Sequence, residues 1–413
     1  MELLRAPAAV GAAGDVLALL FALAVLIAAA KIAGELSQRL GQPAVLGELL
    51  AGLILGPTLL DLFALPVAQA PGLRESIHSM GQLGVLWLML SAGMEIDLAD
   101  FRRAGRPAAL AGVLGVAAPV LLGAGLGWIF SYPWTESLFL GLVLSATSVS
   151  ISAQTLLELG QLRSRVGTAL LGAAVIDDIL VIVLLSVFVG SVQQGSDLSG
   201  IPGQVGTMVL VLAIVLAFSL WVLPYWAEWG RRMKVSQGML AMVLAGVLFV
   251  AWATEYFGGM AAITGAFVAG IGLGRSHLRD EIENGLQRIG YAFFVPLFLL
   301  DIGLQSDLRM LDSRGAVFGG LLLLVAAASK LAGSGLGARL GGYSWRESLL
   351  LGAGMISRGE VGLIVAGVGI AEGLLDPGLF ANVILMVIGT TFVTPPLLRW
   401  MFARKEADRA SAG

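Results

Sequence analysis

The sequence predicts an all-α polytopic membrane protein of about thirteen transmembrane helices, organised as inverted repeats with two interrupted spans. Three observations carry this expectation. Of 413 residues, 57% are hydrophobic and only 13% charged, with a mean hydropathy of +0.90. Soluble domains carry about 25% charged residues, roughly twice this share. Apolar runs recur at about 20 residues, the length that crosses a hydrocarbon core about 30 Å thick. Finally, the chain repeats a short apolar pattern in its two halves. The 56 glycines agree, because packed membrane helices favour small residues where they touch.

Apolar runs between charged or Gly/Pro-rich breaks place spans near 15–33, 43–60, 79–98, 108–131, 135–160, 163–192, 204–226, 236–256, 258–275, 288–307, 315–338, 345–372 and 378–402, with a short tail over 403–413. The first run has the alternative of a signal peptide, since AAA follows it. Its apolar region is long and only Arg5 precedes it, so it is read as a span. With the N-terminus outside, the cytoplasmic connections, the span ends that adjoin them and the C-terminal tail hold 18 of the 25 Lys and Arg, and the outside segments hold 4. That asymmetry favours an odd number of spans and a cytoplasmic C-terminus. The remaining three, Lys31, Lys330 and Arg358, fall inside spans.

Residues 136–141 read ESLFLG and residues 347–352 read ESLLLG, an offset of 211. Each opens a long span that is interrupted about six residues later, by SATSVSIS at 145–152 and by SRGE at 357–360. On the topology above the copies enter the membrane from opposite sides, as inverted repeats of secondary transporters do. Composition also excludes whole classes of function. No cysteine is present and only His78 and His277 supply imidazole, so neither thiolate metal sites nor a metal catalytic centre is expected. No cofactor, enzyme activity or nucleic-acid partner is expected either.

The charged residues inside spans carry the functional signal. Asp177 and Asp178 lie adjacent in GAAVIDDILVIV. A charge at the bilayer centre costs about 2.5–3.5 kcal/mol on insertion scales, so such residues face protein or water and mark ion or proton routes. Neighbouring helical residues point about 100° apart, so the two carboxylates occupy different environments and can divide a structural from a ligand role. The bland alternative, a buried acid held by local donors, fits one aspartate better than two. Lys330, in LLLLVAAASKLAGSGLG, is the candidate counter-charge, with snorkelling to an interface as its alternative. A buried lysine can exchange its proton where an arginine cannot. Ser145, Thr147, Ser148, Ser150 and Ser152 make the first interruption too polar for lipid, and unwound carbonyls with hydroxyls offer hard oxygen ligands for an alkali cation. Helix packing is the alternative for any single one of them. Arg358 and Glu360 flank Gly359 in the second interruption, where an ion pair offsetting helix-dipole ends is favoured over a transport role. Asp301 is a further intramembrane or interfacial acid, and Glu48 is read as paired within a packing surface.

The strings ATSVSISAQTLLELGQL and GAAVIDDILVIVLLS, with QPAVLGELLAGLILGP, LFLLDIGLQSDL and GMISRGEVGLIVAG, resemble the monovalent cation/proton antiporter-2 family, most closely its NapA-type sodium/proton antiporters. The resemblance runs from about residue 15 to 400. It implies a NapA/NhaA-like fold in which two discontinuous helices cross near the midplane. Core helices would fall at about 79–192 and 315–402, beside dimerisation helices at about 15–60 and 204–307. It implies that Asp178 binds Na⁺ or a proton, that Asp177 pairs with Lys330, and that Thr147, with Ser148, lies at the first crossing. Asp301 departs from the neutral residue expected in its stretch and stands as a possible extra acid.

These residues lead to an expected homodimeric sodium/proton antiporter of a prokaryotic plasma membrane, working by alternating access and electrogenic. Li⁺ and K⁺ are the other candidate ions, and potassium/proton exchange is the nearest rival, because selectivity depends on cavity dimensions. A Kef-like gated efflux channel would show far larger currents, and Kef-type systems usually carry a nucleotide-binding domain that this sequence does not. A membrane sensor would bind without flux.

Overall fold

In a computed structural model of the protein, residues 12–95, 98–162, 164–193, 201–310 and 313–410 are described. Among them every regular element is helical. The first eight helices are α1 (Ala12–Arg39), α2 (Ala44–Leu55), α3 (Leu73–Glu95), α4 (Leu98–Ile129), α5 (Trp134–Ser145), α6 (Val149–Glu158), α7 (Arg165–Gln193) and α8 (Ile201–Arg232). Then follow α9 (Gly238–Gly258), α10 (Ala262–Leu273), α11 (Arg279–Ile289), α12 (Val295–Gln305), α13 (Ser313–Leu340), α14 (Trp345–Gly354), α15 (Glu360–Ala371) and α16 (Pro377–Ala410). A π-helical turn at Gly290–Phe294 runs α11 into α12.

Eight helices among the described residues are long and apolar enough to cross a membrane. The eight lie within α1, α4, α7, α8, α9, α11–α12, α13 and α16. Five of the thirteen expected spans differ. The stretches 43–60 and 258–275 hold only the 12-residue helices α2 and α10, about 18 Å at 1.5 Å per residue. The stretches 135–160 and 345–372 are each two helices separated by unwound peptide. Helix α3 has 23 residues but starts within LRESIHS, whose polar residues dilute its apolar character. Helix α1 continues past the AAA at 28–30 to Arg39, as one 28-residue helix.

The chain divides into two compact units, Met1–Ile96 with Ser186–Asp307, and Asp97–Leu185 with Leu308–Gly413. In the first, Ala22 and Leu26 of α1, Ile77 of α3, and Leu297 and Leu300 of α12 form a buried apolar core. Trp87 of α3 stacks on Phe294 with ring centroids 5.2 Å apart and donates to the Leu286 carbonyl at 2.8 Å. Glu48, buried on α2, accepts from Lys31 of α1 at 2.8 Å. Helix α3 packs here against α10 and α12, so the sequence expectation that joined 79–98 to the 315–402 helices is corrected. The reason lies in its small-residue face, which seats it on those helices.

In the second unit, α4 packs along α13 and α5, and α13 packs on α14 and α16. Its core joins Ala169, Leu170, Ala173 and Ala174 of α7 to Leu156, Leu351, Met355, Ile356 and Leu398. The first turns of α7 are thereby pressed against the peptide that follows α14. The unit thus gathers α7 and both interrupted spans.

Candidate functional site

The repeat seen in the sequence holds in the backbone. Helix α5 begins at Trp134 and α14 at Trp345, and α6 begins at Val149 and α15 at Glu360, so each pair is 211 residues apart. Helix α14 starts with a capping box, in which the Ser344 hydroxyl accepts from the Glu347 N–H and the Glu347 carboxylate accepts from the Ser344 N–H. Both copies then unwind, at residues 146–148 and 355–359. Unwinding inside an apolar layer frees peptide groups that must find partners.

Here the two unwound segments satisfy one another. The Ser148 N–H donates to the Ser357 carbonyl at 2.9 Å, and the Ser357 hydroxyl donates to the Ser148 carbonyl at 2.8 Å. The Ser152 hydroxyl donates to the Gly354 carbonyl at 2.5 Å, which caps the end of α14, and lies 3.2 Å from the Ser357 hydroxyl. Approach this close needs glycine at 359, where a β-carbon would sit 2.7 Å from the Ser148 side chain. Thr147 is buried between the half-helices, and its hydroxyl has no hydrogen-bond partner among the described residues.

Arg358 is fully buried. Its guanidinium donates to the carbonyls of Met355 at 2.9 Å and Ile356 at 2.7 Å, just beyond α14, and to that of Ala326 on α13 at 3.0 Å. A cation at a helix C-terminus also opposes the dipole end. The peptide of Arg358 is held too, its N–H donating to the Thr390 hydroxyl and its carbonyl accepting from Thr391. Glu360 opens α15, and its side chain lies outside the described residues, as does that of Ser150. The guanidinium therefore works on backbone carbonyls, a role that the sequence pattern alone does not signal.

Lys330 of α13 and Asp177 of α7 are both fully buried and form an ion pair through Nζ and Oδ1. The second carboxylate oxygen of Asp177 has no hydrogen-bond partner among the described residues. Asp178, beside it in α7, is partly exposed. Asp177 attracts Arg358 through space as well as Lys330 by contact, and Asp178 adds to the field on Lys330. Two acids and two cations thus share the interior of one unit, one helical turn along α7 from the packing against Met355 and Ile356. Chemically, the arrangement offers titratable carboxylates, a lysine able to release a proton, and unwound peptides rich in oxygen.

Asp301 is not brought to this group. It is buried near the end of α12, in the first unit, where it faces His78 Nδ1 at 2.8 Å and accepts from Gln305 at 2.6 Å. Sequence reasoning passed over Ser357, Thr390 and Thr391. The last two lie in VIGTTFVTPP, whose hydroxyl cluster in an apolar span is the same kind of signal that marked residues 145–152.

Fold and site together define a multi-pass membrane protein with a charged, titratable group buried among interrupted helices, the form of a secondary transporter. The family described as "Sodium/hydrogen exchanger, transmembrane" matches residues 22–404. The chain is 37% identical to the Na(+)/H(+)-K(+) antiporter GerN of Bacillus cereus over 94% of its own length and 97% of that protein's. It is 38% identical to the probable Na(+)/H(+) antiporter GerT of the same organism, over 92% and 99%. In three dimensions it resembles the sodium proton antiporter MjNhaP1 of Methanocaldococcus jannaschii, with a TM-score of 0.66 at 17% identity over 94% and 97% of the two chains. The chain belongs to the transmembrane sodium/hydrogen exchanger family. It is a sodium/proton antiporter.

Proposed function

We propose that Na⁺ and H⁺ compete for Asp178, within a NapA-type member of the cation/proton antiporter-2 group. The observation that supports this best is the buried Lys330–Asp177 pair next to a second, partly exposed acid. With Asp178 protonated and Asp177, Lys330 and Arg358 ionised, the group carries one net positive charge. An entering Na⁺ then adds a charge that a low-dielectric interior resists, and loss of a proton offsets it. A carboxylate cannot hold a proton and ligate Na⁺ as an anion together, so competition at one carboxylate couples the two fluxes. Thr147 and the peptides around Ser148 supply the remaining oxygen ligands. Asp177–Lys330 acts as a second titratable unit, and two protons per Na⁺ make the exchange electrogenic.

In this scheme the unit containing α4–α7 and α13–α16 carries the ion by alternating access. The other unit is the scaffold, and through it two copies form a homodimer. Helices α2, α3 and α10 and the two broken pairs complete thirteen crossings, with the N-terminus outside, in a prokaryotic plasma membrane. K⁺ is a second candidate ion, because a relative is named a Na⁺/H⁺-K⁺ antiporter.

The test uses purified protein in liposomes, with internal pH followed after addition of Na⁺, Li⁺ or K⁺, with and without a membrane potential. Asp178→Asn abolishes the Na⁺-driven pH change while the protein elutes as a folded species. Retained exchange in that variant sinks the assignment of Asp178.

A further inference from the structure

Ser334 lies four residues after Lys330 on α13, on the same face and one turn nearer Arg339. It is fully buried. A helical serine or threonine often donates to the carbonyl one turn back, as Ser191 does to Val187 and Thr155 to Ile151. The Ser334 hydroxyl makes no such bond, nor any other among the described residues. It points instead at Gly115 of α4. A β-carbon at Gly115 would sit 2.3 Å from the Ser334 hydroxyl oxygen and 3.7 Å from Lys330 Nζ, so the two polar atoms are at most about 6 Å apart around one small space. The glycine keeps that space open.

We propose that Ser334 is the second partner of Lys330, receiving its amino group whenever Asp177 is withdrawn from the ion pair. This rests on the reading of Asp177–Lys330 as a titratable unit of the exchange cycle. A buried ammonium released from its carboxylate would be left without an acceptor, a state too costly to populate. A hydroxyl suits both forms of the lysine. It accepts from the ammonium, and once Lys330 has released its proton to water on the open side, it donates to the free amine. Both residues belong to α13, so rotation about the lysine's side-chain bonds brings its amino group toward the hydroxyl with no helix movement required by the proposal. Ser334 is therefore a positioning residue that sets how readily Lys330 leaves Asp177.

The test is Ser334→Ala in the full-length protein in liposomes, with Na⁺ KM, maximal rate and pH profile measured together. Loss of one buried hydrogen bond in the released state raises the apparent Na⁺ KM about tenfold. The pH profile shifts with it, while the maximal rate stays within about twofold. Ser334→Thr keeps the hydroxyl and restores the wild-type profile, and Gly115→Ala, which crowds the hydroxyl, reproduces the alanine effect. In a Lys330→Gln background Ser334→Ala changes nothing further. Should that background transport too slowly, the same cycle is read from Na⁺-dependent thermal stabilisation of the purified proteins. Wild-type KM and pH profile in Ser334→Ala overturn the proposal, as does an undiminished effect in the Lys330→Gln background. Lys330→Gln is measured first. If it moves the same charge per cycle as wild type, the titratable-unit reading fails, a result distinct from failure at Ser334 alone.

Discussion

Replacing Lys330 by glutamine isolates the energetic meaning of the buried pair. Lys330 and Asp177 are both inaccessible to solvent, and one Asp177 oxygen already has no hydrogen-bond partner among the described residues. The other oxygen takes its hydrogen bond from Lys330 Nζ. Glutamine is shorter and neutral, so the substitution strands a buried carboxylate without the cation that contacts it. Breaking a buried pair from one side costs about 3–5 kcal/mol. At about 1.4 kcal/mol per power of ten, the folded-to-unfolded ratio falls by two to more than three powers of ten. Adding Asp177→Asn removes the stranded charge, so the double variant recovers most of the loss, and the coupling between the sites is about 2 kcal/mol or more. The assay is unfolding by SDS titration in mixed micelles, for wild type, both single variants and the double variant. The reasoning is refuted if Lys330→Gln lies within about 1 kcal/mol of wild type, or if the double variant is no more stable than Lys330→Gln.

Arg358 and Asp301 each give a further prediction. Arg358→Met leaves the carbonyls of Met355, Ile356 and Ala326 without their charged donor and costs at least about 3 kcal/mol in the same titration. Arg358→Lys recovers only part of this, since an ammonium lacks the planar fork that reaches three carbonyls. Asp301→Asn loosens the contacts with His78 and Gln305 and lowers stability by about 1–3 kcal/mol. Its Na⁺ KM and charge per cycle, measured in liposomes, stay at wild-type values; a changed charge per cycle would make Asp301 part of the ion path.

Much of this site is legible in the sequence because burying charge in an apolar run is expensive enough to demand an explanation. Asp177, Asp178 and Lys330 could be singled out on that ground, although 153 residues separate Lys330 from Asp177. The polar interruptions at 145–152 and 357–360 likewise stand where α5 gives way to α6 and α14 to α15. What the sequence conceals depends on shape and direction. Nothing in SRGE tells whether Arg358 turns to a carboxylate or to three carbonyls. Ser334 looks like any small polar residue on a packed helix until Gly115 is seen opposite it. Span bounds blur at α2 and α10 for a related reason, since hydropathy adds flanking apolar loop to a helix of only 12 residues. The grouping of α3 is decided by which small residues meet, and hydropathy is blind to that.

The reciprocal bonds between Ser148 and Ser357 set a schedule for biosynthesis. The first gap in the helical ladder emerges 209 residues before the peptide that completes it. At about 5–20 residues per second, the ribosome takes roughly 10–40 s to cover that interval. Throughout it, the amide of Ser148 needs a substitute acceptor in or beside the membrane. The nascent first half therefore cannot settle alone, and its final shape waits for a segment still being translated.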